Sequence, residues 1–589
     1  MLSKDQTRIL RLLPPAPDDL DSPIVCELYD AARSDNPSYE ALSYVWDNHA
    51  PFTIWVCGSE VKVTPGLHDV LHQLRLHDRT RDLWVDQLCI NQGNLEEKAQ
   101  QVQLMGDTYT RCTRCLVWLG MPPADVTATD AENAFDIIRY LAAAGQADDM
   151  DSIPLPSAVA NDLQAFNRAI NALHAVVHPR NPWWKRVWTV QEAALPGEVH
   201  LHFGKATLPW DIVMAAVRTW TEKGSPQLLE QRLPYERLDY INALVVHSVW
   251  INVARARYDN PLEAMIRWRF RLATDVRDKA FGLFGLLPSG CLPRTEECRY
   301  DIPLADVFSC MTVEVILSEG GLRALAANPR LEAYKATPGI PRWAIDLSAF
   351  PDHDLDWYYQ CYGYDAYNAD DGLDLLDLDV VSTCVSEKTL KLKGIRIGSV
   401  KCVEEGIRRF RNGSNSVPIA LGETLQKWFD MVEGKSNNLV VVVPDPYPAG
   451  YPRSEAFARL MLGDAIRNYN QVPVDEAVDG HFTDVWTLMN SGEVAPNIHL
   501  TVLGMLSNQA LIVTETGLIG SALIDTELGD EVWVFGGGKV PFTLRPRHND
   551  RSTEYDFVGK CYVQGIMQGE AFTNDGYLQK QAEQTIVIH

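Results

Sequence analysis

The chain has 589 residues, 46% hydrophobic and 22% charged, with a net charge of −25. Roughly three or four domains of ordinary globular composition fit that length, and none needs a disulfide or metal to build its core. The acidic balance and the lack of a dense Lys/Arg run argue against nucleic acid as a partner, and no stretch approaches 18 apolar residues, so no membrane span is expected.

Twelve cysteines are scattered singly, and Cys112-x-x-Cys115, the one close pair, has no second pair at zinc-finger spacing. Reduced thiols and a polar N-terminus without secretory character point to a cytoplasmic protein. The fourteen histidines show no metal-ligand spacing, so no metal and no cofactor are expected.

In chain order, Tyr39 to Trp46 reads as a strand, and Phe52 to Val56 and Val61 to Val63 flank Gly58-Ser59 as a hairpin. Leu67 to Leu76 is helical, Leu83-Trp-Val-Asp86 is a second core strand, and Leu116 to Leu119 a third. Between the last two, Leu95, Ala99, Val102, Met105 and Tyr109 recur at helical spacing. Asn94 is placed as its N-cap, and Glu97 as a capping-box partner rather than a catalyst. Strand, helix, strand predicts an α/β unit with parallel pairing, its strands Leu42 to Val45, Trp84-Val85 and Val117-Trp118 neighbours in one sheet.

Residues 121 to 165 read as a helix plus a loose insertion, and 226 to 290 as mainly helical. Residues 351 to 380, with nine Asp, read as an irregular surface segment. Val440 to Val443 reads as a strand core. After Leu390 the pattern turns to short strands with glycine turns, broken by helices near 420–435 and 454–468. The resulting division is 1–225, an α/β domain; 226–345, mainly helical; and 346–589, mixed and β-rich.

Three blocks carry a resemblance. They are Tyr39-Glu-Ala-Leu-Ser-Tyr-Val-Trp46, Leu83-Trp-Val-Asp-Gln-Leu-Cys-Ile-Asn-Gln92 and Arg180-Asn-Pro-Trp-Trp-Lys-Arg-Val-Trp-Thr-Val-Gln-Glu192. In this order they resemble the fungal heterokaryon incompatibility (HET) domain. Thr274-Asp-Val-Arg-Asp-Lys279, Phe281-Gly-Leu-Phe-Gly285, Pro341 to Asp346 and Phe557 to Met567 are similar to segments downstream in full-length members. Two departures stand out: Asp47 follows Trp46 where the family has glycine, and Pro196-Gly197 interrupts the third block.

The resemblance implies self/non-self recognition and programmed cell death signalling, with self-association or protein partners. HET domains also resemble TIR domains, which implies a TIR-like (flavodoxin-like) N-terminal fold. Several TIR domains cleave NAD with a glutamate one turn after an aromatic residue, a spacing present in Trp188 to Glu192. By that analogy Glu192 is the catalytic residue, Tyr44, Trp46, Asp86 and Trp188 bind the ligand, and NAD is the substrate. Nicotinamide leaves as a neutral molecule, so one carboxylate suffices and no general acid is needed.

Plainer readings stand beside these. Asn181 and Pro182 suit a helix start, and Trp184, Val187, Trp188, Gln191 and Leu195 at helical spacing suit a core face. Glu192 then faces solvent or pairs with an arginine. Asp86 either binds a ligand hydroxyl or caps the next turn, and Cys89 is buried and inert. A non-catalytic signalling scaffold and a HET-like protein repurposed for secondary-metabolite biosynthesis are the alternative functions. Gly536-Gly-Gly-Lys539 lacks P-loop spacing and reads as a hairpin turn.

Overall fold

A computed structural model describes the chain apart from residues 1, 4, 18, 20–21, 47–50, 179–180, 234, 257–259, 293–296, 329–336, 349–362, 372–387, 409–419, 437–439, 465, 468–472, 475–477, 493, 548–552 and 573–581. It divides into two compact units. One is Met1–Cys291 with Glu296–Asp301, the other Leu292–Thr295 with Ile302–His589.

The first unit is α/β. Its strands are β1 (Gln6–Leu12), β2 (Val25–Ala32), β3 (Glu40–Ser43), β4 (Phe52–Val56), β5 (Ser59–Val63), β6 (Arg81–Trp84), β7 (Cys115–Trp118), β8 (Val199–Phe203) and β9 (Ala206–Pro209). They form one sheet in the order β5-β4-β2-β1-β6-β3-β7-β8-β9. The three apolar segments expected as neighbours are β6, β3 and β7, adjacent and parallel, with β8 parallel beyond them. Counted by first appearance, these four parallel strands run 2-1-3-4. The apolar runs Ala41-Leu42 and Leu83-Trp84 are fully buried, as expected where helices cover a parallel sheet.

The helices of this unit begin with α1 (Pro65–Leu74), the one-turn α2 (Asp86–Cys89), α3 (Leu95–Gln103) and α4 (Met105–Arg111). After β7 come α5 (Ala128–Gln146), α6 (Ser157–Ala160), α7 (Leu163–Val177), α8 (Trp188–Ala194) and α9 (Trp210–Arg218). Next are α10 (Gln227–Glu230), α11 (Tyr235–Arg255), α12 (Pro261–Trp268) and α13 (Asp278–Phe284). The boundary expected at 225 falls inside this unit, because α11 packs on α7, α8 and α9, and α13 on α8 and α3.

Asn94 caps α3, its Oδ1 accepting the N–H groups of Glu96 at 3.0 Å and Glu97 at 3.1 Å. Glu97 does not complete a capping box. Its buried carboxylate accepts from Arg8 at 3.1 Å, Asn91 N–H at 3.2 Å and Leu2 N–H at 3.4 Å. These donors, arriving from β1 and the chain start, hold it away from the Asn94 backbone.

The second unit opens with α14 (Leu304–Glu319) and is otherwise built around strands β10 (Leu390–Glu405), β13 (Gln509–Thr514), β14 (Ile519–Leu523), β15 (Glu531–Phe535), β16 (Phe542–Pro546), β17 (Glu554–Val563) and β18 (Gln584–Ile588). A two-residue ladder, β11 (Ile466–Arg467) with β12 (Pro473–Val474), lies apart. The order β13-β14-β17-β16-β15-β10 is closed by pairing of β10 with β13, so six antiparallel strands form a barrel. Closure leaves no free edge in the ring. Trp533, Phe542, Leu544 and Phe557 are fully buried. Strand β10 bends along three partners, β18, β15 and β13. Gly394 stands at the first change of partner, where a Cβ would lie 2.3 Å from the Val534 carbonyl oxygen.

Helices at Ala420–Val432 and Arg453–Leu462 match the expected stretches, while Phe482–Ser491 and Pro496–Leu506 add two more. Val440 to Val443 is not a strand. Val440 and Val442 are exposed in an irregular segment that runs into Pro444 and a second proline, neither with an N–H for a ladder. Of 351–380, only 363–371 are described.

Candidate functional site

Three chain segments meet at the C-terminal ends of β3 and β6. Strand β3 ends at Ser43 and delivers Tyr44 and Trp46. Strand β6 is followed by Val85 and then Asp86, the first residue of α2. Helix α8 packs directly on β3 and β7 and carries Glu192. A short turn, Pro182–Lys185, precedes α8. Asn181 caps it, accepting Trp183 N–H at 3.1 Å, and so aims Trp183 inward.

The Trp183 indole N–H donates to Ser43 Oγ at 2.8 Å, and Ser43 Oγ lies 2.5 Å from Glu192 Oε2. An indole nitrogen can only donate. Ser43 therefore accepts from Trp183 and turns its own hydrogen to Glu192. Asp86 accepts from the Trp46 indole N–H at 3.1 Å and from Gln87 N–H at 2.8 Å. The Tyr44 hydroxyl donates to Gln87 Oε1 at 3.0 Å and lies beside Asp86. Tyr109 closes the floor, its hydroxyl donating to the Leu42 carbonyl at 3.0 Å.

Burial pushes the Glu192 carboxyl up to about 8, the Asp86 charge adds to that, and the Ser43 hydrogen bond and the Arg186 charge oppose it. Asp86 is raised too, mainly by burial, against the Arg186 charge and the bonds donated by the Trp46 indole and the Gln87 N–H. Two carboxyls in one low-dielectric site resist double ionisation. Of the two, Glu192 is the group that the site holds more strongly in its acid form, while two donated hydrogen bonds and the Arg186 charge favour the charged form of Asp86. Glu192 is only 4% exposed.

The structure thus brings Tyr44, Trp46, Asp86 and Glu192 together. Trp188 faces elsewhere: its indole hydrogen-bonds Asp278 on α13, which also accepts the Tyr300 hydroxyl at 2.6 Å. Ser43, Trp183, Gln87, Tyr109 and Arg186 are not named as site residues from sequence, although all but Tyr109 sit inside the three quoted blocks and Tyr109 reads as an apolar-face position of the helix that follows the second. The unused signal was Ser43 itself, a polar residue between apolar ones at the end of a buried strand.

Residues after 225 fix α8 in place. Arg255 donates to the carbonyls of Ala193 at 2.7 Å and Gly197 at 3.3 Å. Val187 N–H donates to the Leu272 carbonyl at 2.9 Å. A Cβ on Gly285 would lie 2.5 Å from Gln191 Oε1 and 3.0 Å from Gly106 Cα, so only glycine lets α13 approach this closely. Cys89 is buried, with its thiol pushed up to about 12 by burial.

Among the described residues no group of three or more His, Cys, Asp or Glu is placed to hold a metal ion, and no helix is long and apolar enough to cross a membrane.

Residues 39–192 match the family model of the heterokaryon incompatibility protein (HET), and residues 471–577 that of the Het-6 β-barrel domain. The second match takes in β13 to β17, while the closing strand β10 lies outside it. The chain is similar to heterokaryon incompatibility protein 6, OR allele, of Neurospora crassa, at 24% identity over 93% of this chain and 92% of that protein. No solved structure matches.

Proposed function

We propose that the chain, which is similar to the heterokaryon incompatibility (HET) family over residues 39–192 and 471–577 and to a Neurospora crassa heterokaryon incompatibility protein over 93% of its length, acts in fungal self/non-self recognition and cell-death signalling, with a TIR-like first unit that cleaves NAD at the nicotinamide–ribose bond. The 2-1-3-4 order of the parallel strands supports the fold reading, because flavodoxin-like sheets begin in that order and bind ligands at the C-terminal strand ends beside the switch point. The observation that carries the chemistry is the Glu192 carboxyl, enclosed and hydrogen-bonded to Ser43 at the strand ends that also carry Asp86, with burial pushing it up to about 8.

Glu192, pushed up to about 8 by burial, carries its proton at neutral pH. A cationic ring entering the site favours ionisation of Glu192. The C1′–N bond then breaks with its electron pair moving to the ring nitrogen, which leaves neutral. The cation that develops on the ribose faces two carboxylates. Water adds its oxygen to C1′, and its proton passes to Glu192. The products are ADP-ribose, nicotinamide and one proton. Trp46, which is only half-buried, offers a face for stacking, while Tyr44 is buried.

The near-complete burial of Glu192 favours a second reading, in which the pair is sealed and the unit signals by assembly alone. Incubating the purified full chain with NAD separates the two. Free nicotinamide is expected, and its absence on prolonged incubation at pH 7 and 8.5 supports the sealed reading.

A further inference from the structure

Strand β5 is one margin of the nine-stranded sheet, and among the described residues it pairs with β4 alone. The opposite margin, β9, ends in Pro209 and runs into α9, a common way to blunt an edge. Strand β5, Ser-Glu-Val-Lys-Val, has no proline and is mostly exposed.

The hairpin turn fixes which of its backbone groups are free. Cys57 and Gly58 both have positive φ, 50° and 78°, which makes a type I′ turn closed by Val56 and Ser59. Pairs 56–59, 54–61 and 52–63 therefore exchange the ladder hydrogen bonds. The N–H and C=O groups of Glu60 and Lys62 point away from β4.

We propose that β5 pairs antiparallel with β5 of a second copy of this chain, with Val61 on the twofold axis. This register sets Glu60 opposite the other copy's Lys62, and Lys62 opposite its Glu60. Both ion pairs share one face, and four backbone hydrogen bonds form from the groups the hairpin leaves free. Neighbouring registers fail. An axis at Glu60 opposes two glutamates, an axis at Lys62 opposes two lysines, and a one-residue slip opposes outward to inward backbone groups. Trp55, 38% exposed and cross-strand from Glu60, extends the same face. Five residues per strand bury little area, so the dimer is weak, with a dissociation constant on the order of 10–100 μM, and is loosened by salt.

Sedimentation velocity of the full chain over about 1 to 300 μM tests this. The wild type is expected to pass from monomer to dimer. E60K and K62E, both at exposed positions, should each remain monomeric because like charges meet twice in the pairing. An equal mixture of E60K and K62E should associate again, and the double variant E60K/K62E should recover wild-type behaviour. A wild type that stays monomeric throughout overturns the proposal and leaves Lys62 as an edge guard. A dimer that survives both single changes, or singles that fail to associate when mixed, overturns it as well.

Discussion

At the N-terminal ends of β3, β6, β7 and β8, carboxylates and cations alternate. Glu40 takes a two-pronged contact from Arg81 at 2.5 and 3.1 Å, Arg114 lies 3.6 Å from Glu40 and 3.5 Å from Glu198, and His200 lies 2.8 Å from Glu198. At the C-terminal ends of the same strands, Asp86 and Glu192 are enclosed together, answered by hydroxyl, indole and amide hydrogens and by the charge of Arg186. One end neutralises its acids with arginine and is finished as a surface. The other encloses both acids and pushes both carboxyls up, an arrangement that costs stability and is typical of functional sites.

Substitution at the two ends should separate these roles. Glu192→Gln keeps shape and removes the titrating proton. Nicotinamide release should fall about 10²- to 10³-fold, while Glu40→Gln should leave the rate within about twofold and cost about 1–2 kcal/mol of stability, since Arg81 loses half of its pairing. Equal losses at both ends would erase the contrast.

The pH dependence of stability comes next in size. The Glu192 pKa in the folded chain lies above its unfolded value of 4.5, at about 8. Its contribution is therefore fully present below pH 4.5 and is lost as pH rises through about 8, by about 5 kcal/mol. Glu192→Gln should melt higher than wild type at pH 8.5, with the gap closing toward pH 5. A gap independent of pH would mean that Glu192 does not titrate in this range.

Gly285→Ala puts a methyl group against Gln191 and Gly106 and should cost about 1–3 kcal/mol, with nicotinamide release falling in step because α8 shifts. Unchanged urea unfolding in this variant would remove α13 from the support of the site. Ser43→Ala has the smallest expected effect. Losing its donated hydrogen bond should raise Glu192 by about one further unit, read as an alkaline shift of the pH profile of nicotinamide release.

Much of the first unit was legible because its core strands are continuous apolar runs set between helical periods. Tyr44, Trp46, Asp86 and Glu192 meet because the first two blocks span the C-terminal ends of β3 and β6 and the third rides the helix above them. Trp188 misled for a physical reason. Helical spacing put it on the face of Glu192, yet its partner Asp278 arrives from 90 residues later. Glu97 misled similarly: the local rule named Asn94, but Arg8 and the chain start supply stronger donors. Barrel closure was illegible because it depends on β10 pairing with β13 more than 100 residues away, a register no local pattern encodes.

Difference infrared spectra of wild type against Glu192→Gln, recorded from about pH 5 to 10, read the Glu192 carboxyl directly. The expected result is a protonated carboxylic-acid carbonyl band at pH 6 that gives way to carboxylate bands near pH 8. Glu192 carboxylate bands already present at pH 5 would contradict a buried carboxyl that keeps its proton to about pH 8, and with it the site proposed at the ends of β3 and β6.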